Sequence, residues 1–535
     1  MLKTGRFRER ESQLEKALNP KKMESLWKKH VRSSLRNQAL SDLHDYYDFH
    51  IHIKNRIQSV KSLVLTGIYQ PSRPIRVRSE KQLGMSRHIV ILTPQDALVL
   101  ETIADFLMPI IKKAQPCKCS YFSRNQSQPK TPANIDETFG YPWWILWPQF
   151  QKRILQFTEE KEYTVTTDVA TYYDNIGFTK LRNFLSNLGV LSEIFLDFMF
   201  FLFERFVWRP DYLPFPGKGL PQIDLDAPRL VAHAFLFEVD RFLSQETDEH
   251  FVRWLDDVDF GCDSIIEAKT LLRNIDELLL SRGLHLNSSK TKILSKKEAI
   301  EHFQLRENRF LNIFHKRVKR LISENKSISK EKKILRKRFH KFNNANRVGQ
   351  WIKIFKRYIS LSRICNDNFL QSITPEYLSN HAALRSSIFL YYKSLGWSDK
   401  REKHIISYVN ESLDDIGFSE AIDVLITWIC PETIRYIQRM RELALLIADS
   451  EESVRYIGAL KLLAKYGNGK NIDFIVNKYT HLWKNNDWVA RQVASIYPRI
   501  SNEDIKETVK NVIYSFGLTS AKSVIDNLEL ISNQS

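Results

Sequence analysis

The run HFVRWLDDVDFG (250–261) constrains this chain more than any other stretch. Apolar residues at Val252, Trp254, Val258 and Phe260 flank a central Asp256-Asp257 pair. Two short β-prone segments with acids at their junction predict a hairpin whose tip presents carboxylates. An ordinary solvent-facing turn carries aspartates too, so the pair alone decides nothing. EYTVTTDVATYYDNI (162–176) supplies a second element, a β-rich run that ends at Asp168 and turns toward a helix. An acid at the end of a strand can meet a hairpin tip on a neighbouring strand. Paired carboxylates on rigid strands suit hard, oxygen-preferring cations, which keep water and phosphate oxygens as their remaining ligands.

The chain has 535 residues, which suggests two or three domains. Its formal net charge of +18 favours a polyanionic partner. Nucleic acid and an anionic membrane surface both qualify on charge. No run of about 18 apolar residues is present, so no membrane span is expected. The first twenty residues, MLKTGRFRERESQLEKALNP, lack an apolar signal core, and the expected location is cytoplasmic. The five cysteines are Cys117, Cys119, Cys262, Cys365 and Cys430. The Cys117-Lys118-Cys119 spacing is not that of a zinc site, and five in this length make no disulfide scaffold. Free thiols are expected.

Four segments follow from the pattern. Residues 1–40 hold 11 Lys/Arg against four Glu and read as a basic helical extension. Residues 41–300 mix β-rich runs (SRHIVIL at 86–92, the 162–169 run and the 250–261 run) with helical stretches, an α+β domain. Residues 301–360 carry 18 Lys/Arg against four Glu, with Phe303, Phe310, Phe314, Phe339, Phe342 and Trp351 interleaved. Such a basic helical connector suits nucleic-acid backbone; a charged helix surface with its aromatics in the core is the bland alternative. From 361 to 535 helical periodicity dominates. ESVRYIGALKLLAKYG (452–467) and DWVARQVASIYPRI (487–500) look alike at an offset of about 35 residues, as in stacked HEAT-like helix pairs. A plain helical bundle remains the other reading.

Further runs change the weight of the acids. YTVTTDVATYYDNI resembles motif A of reverse transcriptases, GKGLPQIDLDAPRLVAHAFLFEVD (217–240) motif B, RWLDDVDFG (253–261) motif C and RGLHLNSSKTKIL (282–294) motif D. Upstream, RHIVILTPQDALVLETIADFL (87–107) and YFSRNQS (121–127) resemble the finger motifs. Six motifs stand in family order. Two departures are clear: Gln222 is followed by Ile223-Asp224 rather than by glycine, and motif C carries Trp254-Leu255. With these features the chain is most similar to the bacterial abortive-infection and defence-associated reverse transcriptases.

That resemblance implies a reverse-transcriptase right-hand palm and fingers followed by an all-α HEAT-like domain. It implies a DNA polymerase, RNA-directed or template-independent, using two Mg²⁺ ions, with Mn²⁺ as a substitute. Asp168, Asp256, Asp257 and the carbonyl of Val169 would be the metal ligands. Tyr173, five residues after Asp168, would be the steric gate against a 2′-hydroxyl. Gln222 would support the incoming nucleotide, Arg87 and Lys81 would meet its triphosphate, and Lys290 would protonate the leaving pyrophosphate. The setting of Lys290 is readable locally: a Ser264/Glu267 capping box, a helix to about Ser281, a stop at Gly283 and a strand LHLN (284–287). Partners implied are dNTPs, a single-stranded DNA product, an RNA template and further copies of the chain. Some relatives extend a tyrosine on the protein itself; Tyr46 and Tyr47 are the first tyrosines here. A relic palm serving as a binding scaffold is the competing class. An enzyme of the retron or group II intron type is a third, but nothing here resembles the motifs specific to either.

Overall fold

The computed structural model describes residues 13–124, 137–188, 191–210 and 212–534. Part of the N-terminal extension (1–12) and of the second finger motif (125–127) lies outside the described residues. The chain divides into two units. The first takes in the chain up to Ser41, then 45–76 and 89–299; the second takes in 42–44, 77–88 and 300 onward.

In the first unit, α1 (Pro20–Leu26) starts where Asn19 accepts a bond from the Lys22 amide and Pro20 fills the first position. The helix continues through a π-helical turn at Trp27–Val31. Trp27, Val31 and Leu35 are buried, so one face of this basic segment is core. Strands β1 (Ile75–Gln82) and β2 (Met85–Ile91) form a separate two-stranded sheet, whose residues 77–88 are counted with the second unit. Their turn is Leu83-Gly84, both at positive φ, the mirror-image turn that matches strand twist. Thr93 then caps the long helix α2 (Pro94–Ala114).

The remaining strands make one mixed sheet. They are β3 (Ser120–Ser123), β4 (Phe139–Tyr141), β5 (Tyr163–Asp168), β6 (Phe251–Trp254), β7 (Asp257–Cys262) and β8 (Lys292–Ser295). Their order is β4-β3-β6-β7-β5-β8, with β3 parallel to β4 and β6 and the other pairs antiparallel. Helices α3 (Trp143–Glu160), α5 (Phe237–Glu246) and α6 (Ile265–Ser281) pack on it, and α4 (Asp226–Phe235) packs on α2. Every residue of β7 after Asp257 is buried, as expected of a central strand covered on both faces.

Helix α6 starts and stops as its sequence predicts. Ser264 accepts from the Glu267 amide, and Gly283 at φ +73° ends it with the Leu284 amide reaching Leu279 and its own amide reaching Leu280. LHLN is not the expected strand. Only Leu286 makes an isolated bridge, to Val169, because β5 has already ended at Asp168 and the Asn287 amide turns in to the Asp168 carbonyl. The paired strand is β8, five residues on.

From residue 300 onward the described residues of the second unit form helices and their connections. Helices α7 (Leu305–Ser323) and α8 (Ser329–Asn343) both pack on α9 (Trp351–Ile364). Phe303, Phe314, Phe339, Phe342 and Trp351 are buried and Phe310 half-buried, so the aromatics of this basic stretch are core, while most of its lysines and arginines are exposed. Farther on, α12 (Ser453–Tyr466) packs against α10 (Asp415–Thr427), α11 (Thr433–Ala448) and α13 (Asp487–Ser495), and α13 packs against α14 (Thr519–Gln534). Arg441 and Arg499 both donate to carbonyls at the C-terminal end of α12, where cations are favoured. All five cysteines are free thiols. Among the described residues no helix is long and apolar enough to cross a membrane.

Candidate active site

The acids meet because of strand register. Antiparallel pairing places Asp168, the last residue of β5, directly across from Asp257, the first residue of β7. Residues opposed in this way project to the same face. Trp254 pairs with Asp257 on the other side, which leaves Leu255 and Asp256 as the two-residue tip. Leu255 sits at φ +57°, a left-handed conformation that a branched side chain adopts rarely.

Arg253 holds that tip and was not foreseen. Its side chain is fully buried, donates from Nη1 to the Leu255 carbonyl at 2.7 Å and from Nη2 to the His233 carbonyl at 3.1 Å, and forms a two-point ion pair with Asp240 of α5. A signal existed: an arginine inside an apolar central strand must find a carboxylate, since an unpaired buried charge is prohibitive.

The three carboxylates differ. Asp168 is 6% exposed; its Oδ2 accepts from Lys290 Nζ at 2.5 Å, while its Oδ1 is buried with no hydrogen-bond partner. Asp256 is half-buried; desolvation, then the charges of Asp257 and Asp168, push its carboxyl up to about 6. Asp257 is exposed. The hydrogen bond to Asp168 shifts the Lys290 ammonium upward, so it holds its proton more firmly. Val169, the next residue after Asp168, is buried. Among the described residues, only His30, Glu101 and Asp226 bring three ligand-type atoms within 4.8 Å of one another. The three aspartates therefore line the strand ends without converging on one point.

Tyr173 and Gln222 are drawn together by backbone bonds. The Phe178 amide donates to Gly217, the Gly219 amide to Ile176 and the Leu220 amide to Tyr173, each at 2.9 Å. Gly219 takes φ +99°, open to glycine alone. Gln222 Nε2 then reaches Asp174 Oδ1 at 3.2 Å. Tyr172 is buried and donates its hydroxyl to the Ala232 carbonyl, whereas Tyr173 is half-buried with its ring edge-on to that of Tyr172. Arg87 on β2 and Lys81 on β1 are both exposed and belong to the 77–88 segment of the second unit.

A second cluster was also missed. Glu101 of α2 accepts from the amides of Asp226 and Ala227 and so caps α4 from another helix. His30 contacts Glu101 at 2.8 Å and Asp226 at 3.2 Å, and Arg124 donates to Asp226 at 3.0 Å. Burial pulls the His30 imidazole down, but its bonds to Asp226 and Glu101 outweigh this and hold it at about 10. The departure from motif B at Asp224-Leu225-Asp226 thus contains a buried electrostatic hub. Nothing in local spacing connects positions 30, 101, 124 and 226.

The mixed sheet thus carries acids at the end of a central strand and at the adjoining hairpin tip. Residues 80–321 match the family described as Reverse transcriptase (RNA-dependent DNA polymerase). The chain therefore contains a reverse transcriptase domain, and the enzyme class is nucleotidyltransferase. Among solved structures, apo telomerase from Candida tropicalis aligns at 10% identity over 86% of this chain and 74% of that one, with a TM-score of 0.31. Telomerase from Candida albicans, in complex with the TWJ fragment of telomeric RNA, aligns at 11% identity over 83% and 66%, also at 0.31. No curated protein matches the chain.

Proposed function

We propose that this protein is a DNA polymerase that transfers nucleotides from dNTPs by two-metal chemistry, RNA-directed or template-independent. The observation that carries the proposal is the Asp168 carboxylate: one oxygen paired with Lys290, the other buried without a partner, across a strand pair from Asp257. The donor set is all hard oxygen, which fits Mg²⁺, with Mn²⁺ as a substitute. Asp168, Asp256, Asp257 and the Val169 carbonyl would hold the ions, which when bound would lower the pKa of the attacking 3′-hydroxyl and neutralise charge on the triphosphate.

The protein's own groups do the rest. Tyr173 excludes a 2′-hydroxyl, Gln222 positions the nucleotide, and Lys81 and Arg87 bind its phosphates. Lys290 retains a proton that it delivers to the pyrophosphate oxygen. We assign residues 1–40 to an extension, 41–300 to fingers and palm, 301–360 to a thumb-like connector and 361–535 to a HEAT-like domain. With its aromatics buried, the connector would bind nucleic-acid backbone by charge, with a steep salt dependence. Of the two candidate priming tyrosines, Tyr47 is exposed and Tyr46 is buried, so Tyr47 is the better protein primer. The cellular role we assign is cytoplasmic abortive-infection defence against phage, exercised by an assembly of several copies.

The test is dNTP incorporation with Mg²⁺ or Mn²⁺, first without nucleic acid and then with RNA template and primer. An Asp256→Ala/Asp257→Ala variant is the control. We expect incorporation that falls more than about a hundred-fold in the control, since even outer-shell partners of a metal site are worth roughly ten- to a hundred-fold. Label that stays on the protein after denaturation identifies self-priming. No product under any condition leaves the relic-palm scaffold.

A further inference from the structure

Leu-Asp-Asp occurs twice in this chain, at 255–257 and again at 413–415. The second copy opens α10 and has no place in the chemistry above. We infer that Asp414, Asp415 and Arg385 are positioning residues for nucleotide binding: they lock the β1/β2 hairpin and thereby fix Lys81 and Arg87. This rests on the proposal that Lys81 and Arg87 meet the triphosphate.

The hairpin is a two-stranded sheet, so among the described residues the outer edge of β1 has no strand beside it. Alternate amides on one edge of a strand point the same way. Those of Arg78 and Glu80 donate to Asp415 Oδ2 at 2.7 Å and Asp414 Oδ1 at 3.3 Å, so the two carboxylates stand in for a third strand. The side chains cross-link the same contact. Arg78 reaches both oxygens of Asp415 at 3.1 Å and Glu452 at 2.9 Å. Arg385 donates to Glu80 at 2.6 Å, to Asp414 at 2.9 Å, and to the carbonyls of Leu378 and Ser379. Glu80 also accepts from the Gly84 amide at 3.1 Å, which ties the turn between Lys81 and Arg87 into the network.

Three features set this apart from a surface ion pair. Arg385 and Asp414 are 5% exposed and Asp415 6%. The two acids sit at the N-terminal end of a 13-residue helix, where negative charge is favoured. Removing either partner strands a charge that has already lost its water. An exposed edge hairpin alone would be loose; clasped in this way it presents two cations in a set geometry, and displacement of a substrate contact by about 1 Å can change rates by as much as about a hundred-fold.

The experiment compares full-length Asp415→Asn, Arg78→Gln and their double variant in steady-state dNTP incorporation, with amide hydrogen exchange over residues 77–88. Arg441→Gln, which loosens a helix cap elsewhere in the same unit, controls for lost stability. We expect KM for dNTP to rise about ten-fold with kcat little changed, a double variant no worse than the singles, and faster exchange at Arg78 and Glu80. The Arg441→Gln control should leave KM alone. An active wild type whose KM stays within two-fold in folded variants overturns the positioning role. So does a KM rise matched by the control. A wild type that incorporates nothing removes the polymerase reading instead, and this role with it; unchanged exchange would overturn the clasp itself.

Discussion

The two Leu-Asp-Asp tripeptides are the same three residues in opposite electrostatic states. At 413–415 the carboxylates take two strand amides and two arginines. At 255–257 the pair stands at a hairpin tip beside a third acid, one member is pushed up to about 6, and the nearby Asp168 keeps a buried oxygen without a partner. The first arrangement is a finished contact. The second is a cluster of like charges that Lys290 answers at one oxygen of Asp168, while Asp256 stays desolvated beside two other acids. An acid pair is therefore read by what neutralises it, and not by its sequence.

The largest effect we expect comes from the brace beneath the tip. Asp240→Asn leaves the fully buried Arg253 half-paired and should destabilise the fold by about 3 kcal/mol or more in denaturant unfolding. A loss under about 1 kcal/mol would mean that the tip does not depend on this pair.

The same substitution in the two tripeptides should then have opposite signs. Asp414→Asn or Asp415→Asn removes charged hydrogen bonds and should destabilise by about 1.5–3 kcal/mol. Without metal, Asp256→Asn should be neutral or stabilising. The pH dependence follows from the raised Asp256 pKa. The folded state binds that proton more tightly than the unfolded chain, so its stabilising share is complete below the ordinary carboxylate range. It is lost as pH rises through about 6. Metal-free thermal stability should fall between about pH 4 and pH 6.5, less so in Asp256→Asn. Metal-supported incorporation should run the other way, declining below pH 6 as protons compete with the ions. Equal destabilisation at both sites would end the contrast.

The smallest effect is expected on the basic connector. Lys316→Ala and Lys319→Ala on α7, both exposed, should each reduce the salt dependence of single-strand binding by roughly 0.7 in log–log slope. Fluorescence anisotropy over a salt series reads this directly. An unchanged slope would remove the connector from the nucleic-acid path.

The strand runs around Asp168 and Asp256-Asp257 and both ends of α6 were legible because their signals are local: apolar alternation, a serine three residues before a glutamate, a glycine where φ must be positive. The extent of LHLN was not, since a strand lasts only as long as its partner, and β5 stops at Asp168. Nor were the connector's aromatics: periodicity places them on one face but does not say what covers it. The family resemblance placed Tyr173 and Gln222 in one site, but only the structure shows the three backbone bonds between their segments.

By itself, then, the sequence determined which residues are acidic, where chain direction changes and which segments have an apolar side. These follow from neighbours within a few positions. Tertiary structure decided which charges are answered: Arg253 by Asp240, Asp226 by His30 and Arg124, and Arg78 by Asp415, 337 residues away. The reason is desolvation. The cost of a buried charge is set by the groups that replace its water, and only folding brings those groups to it.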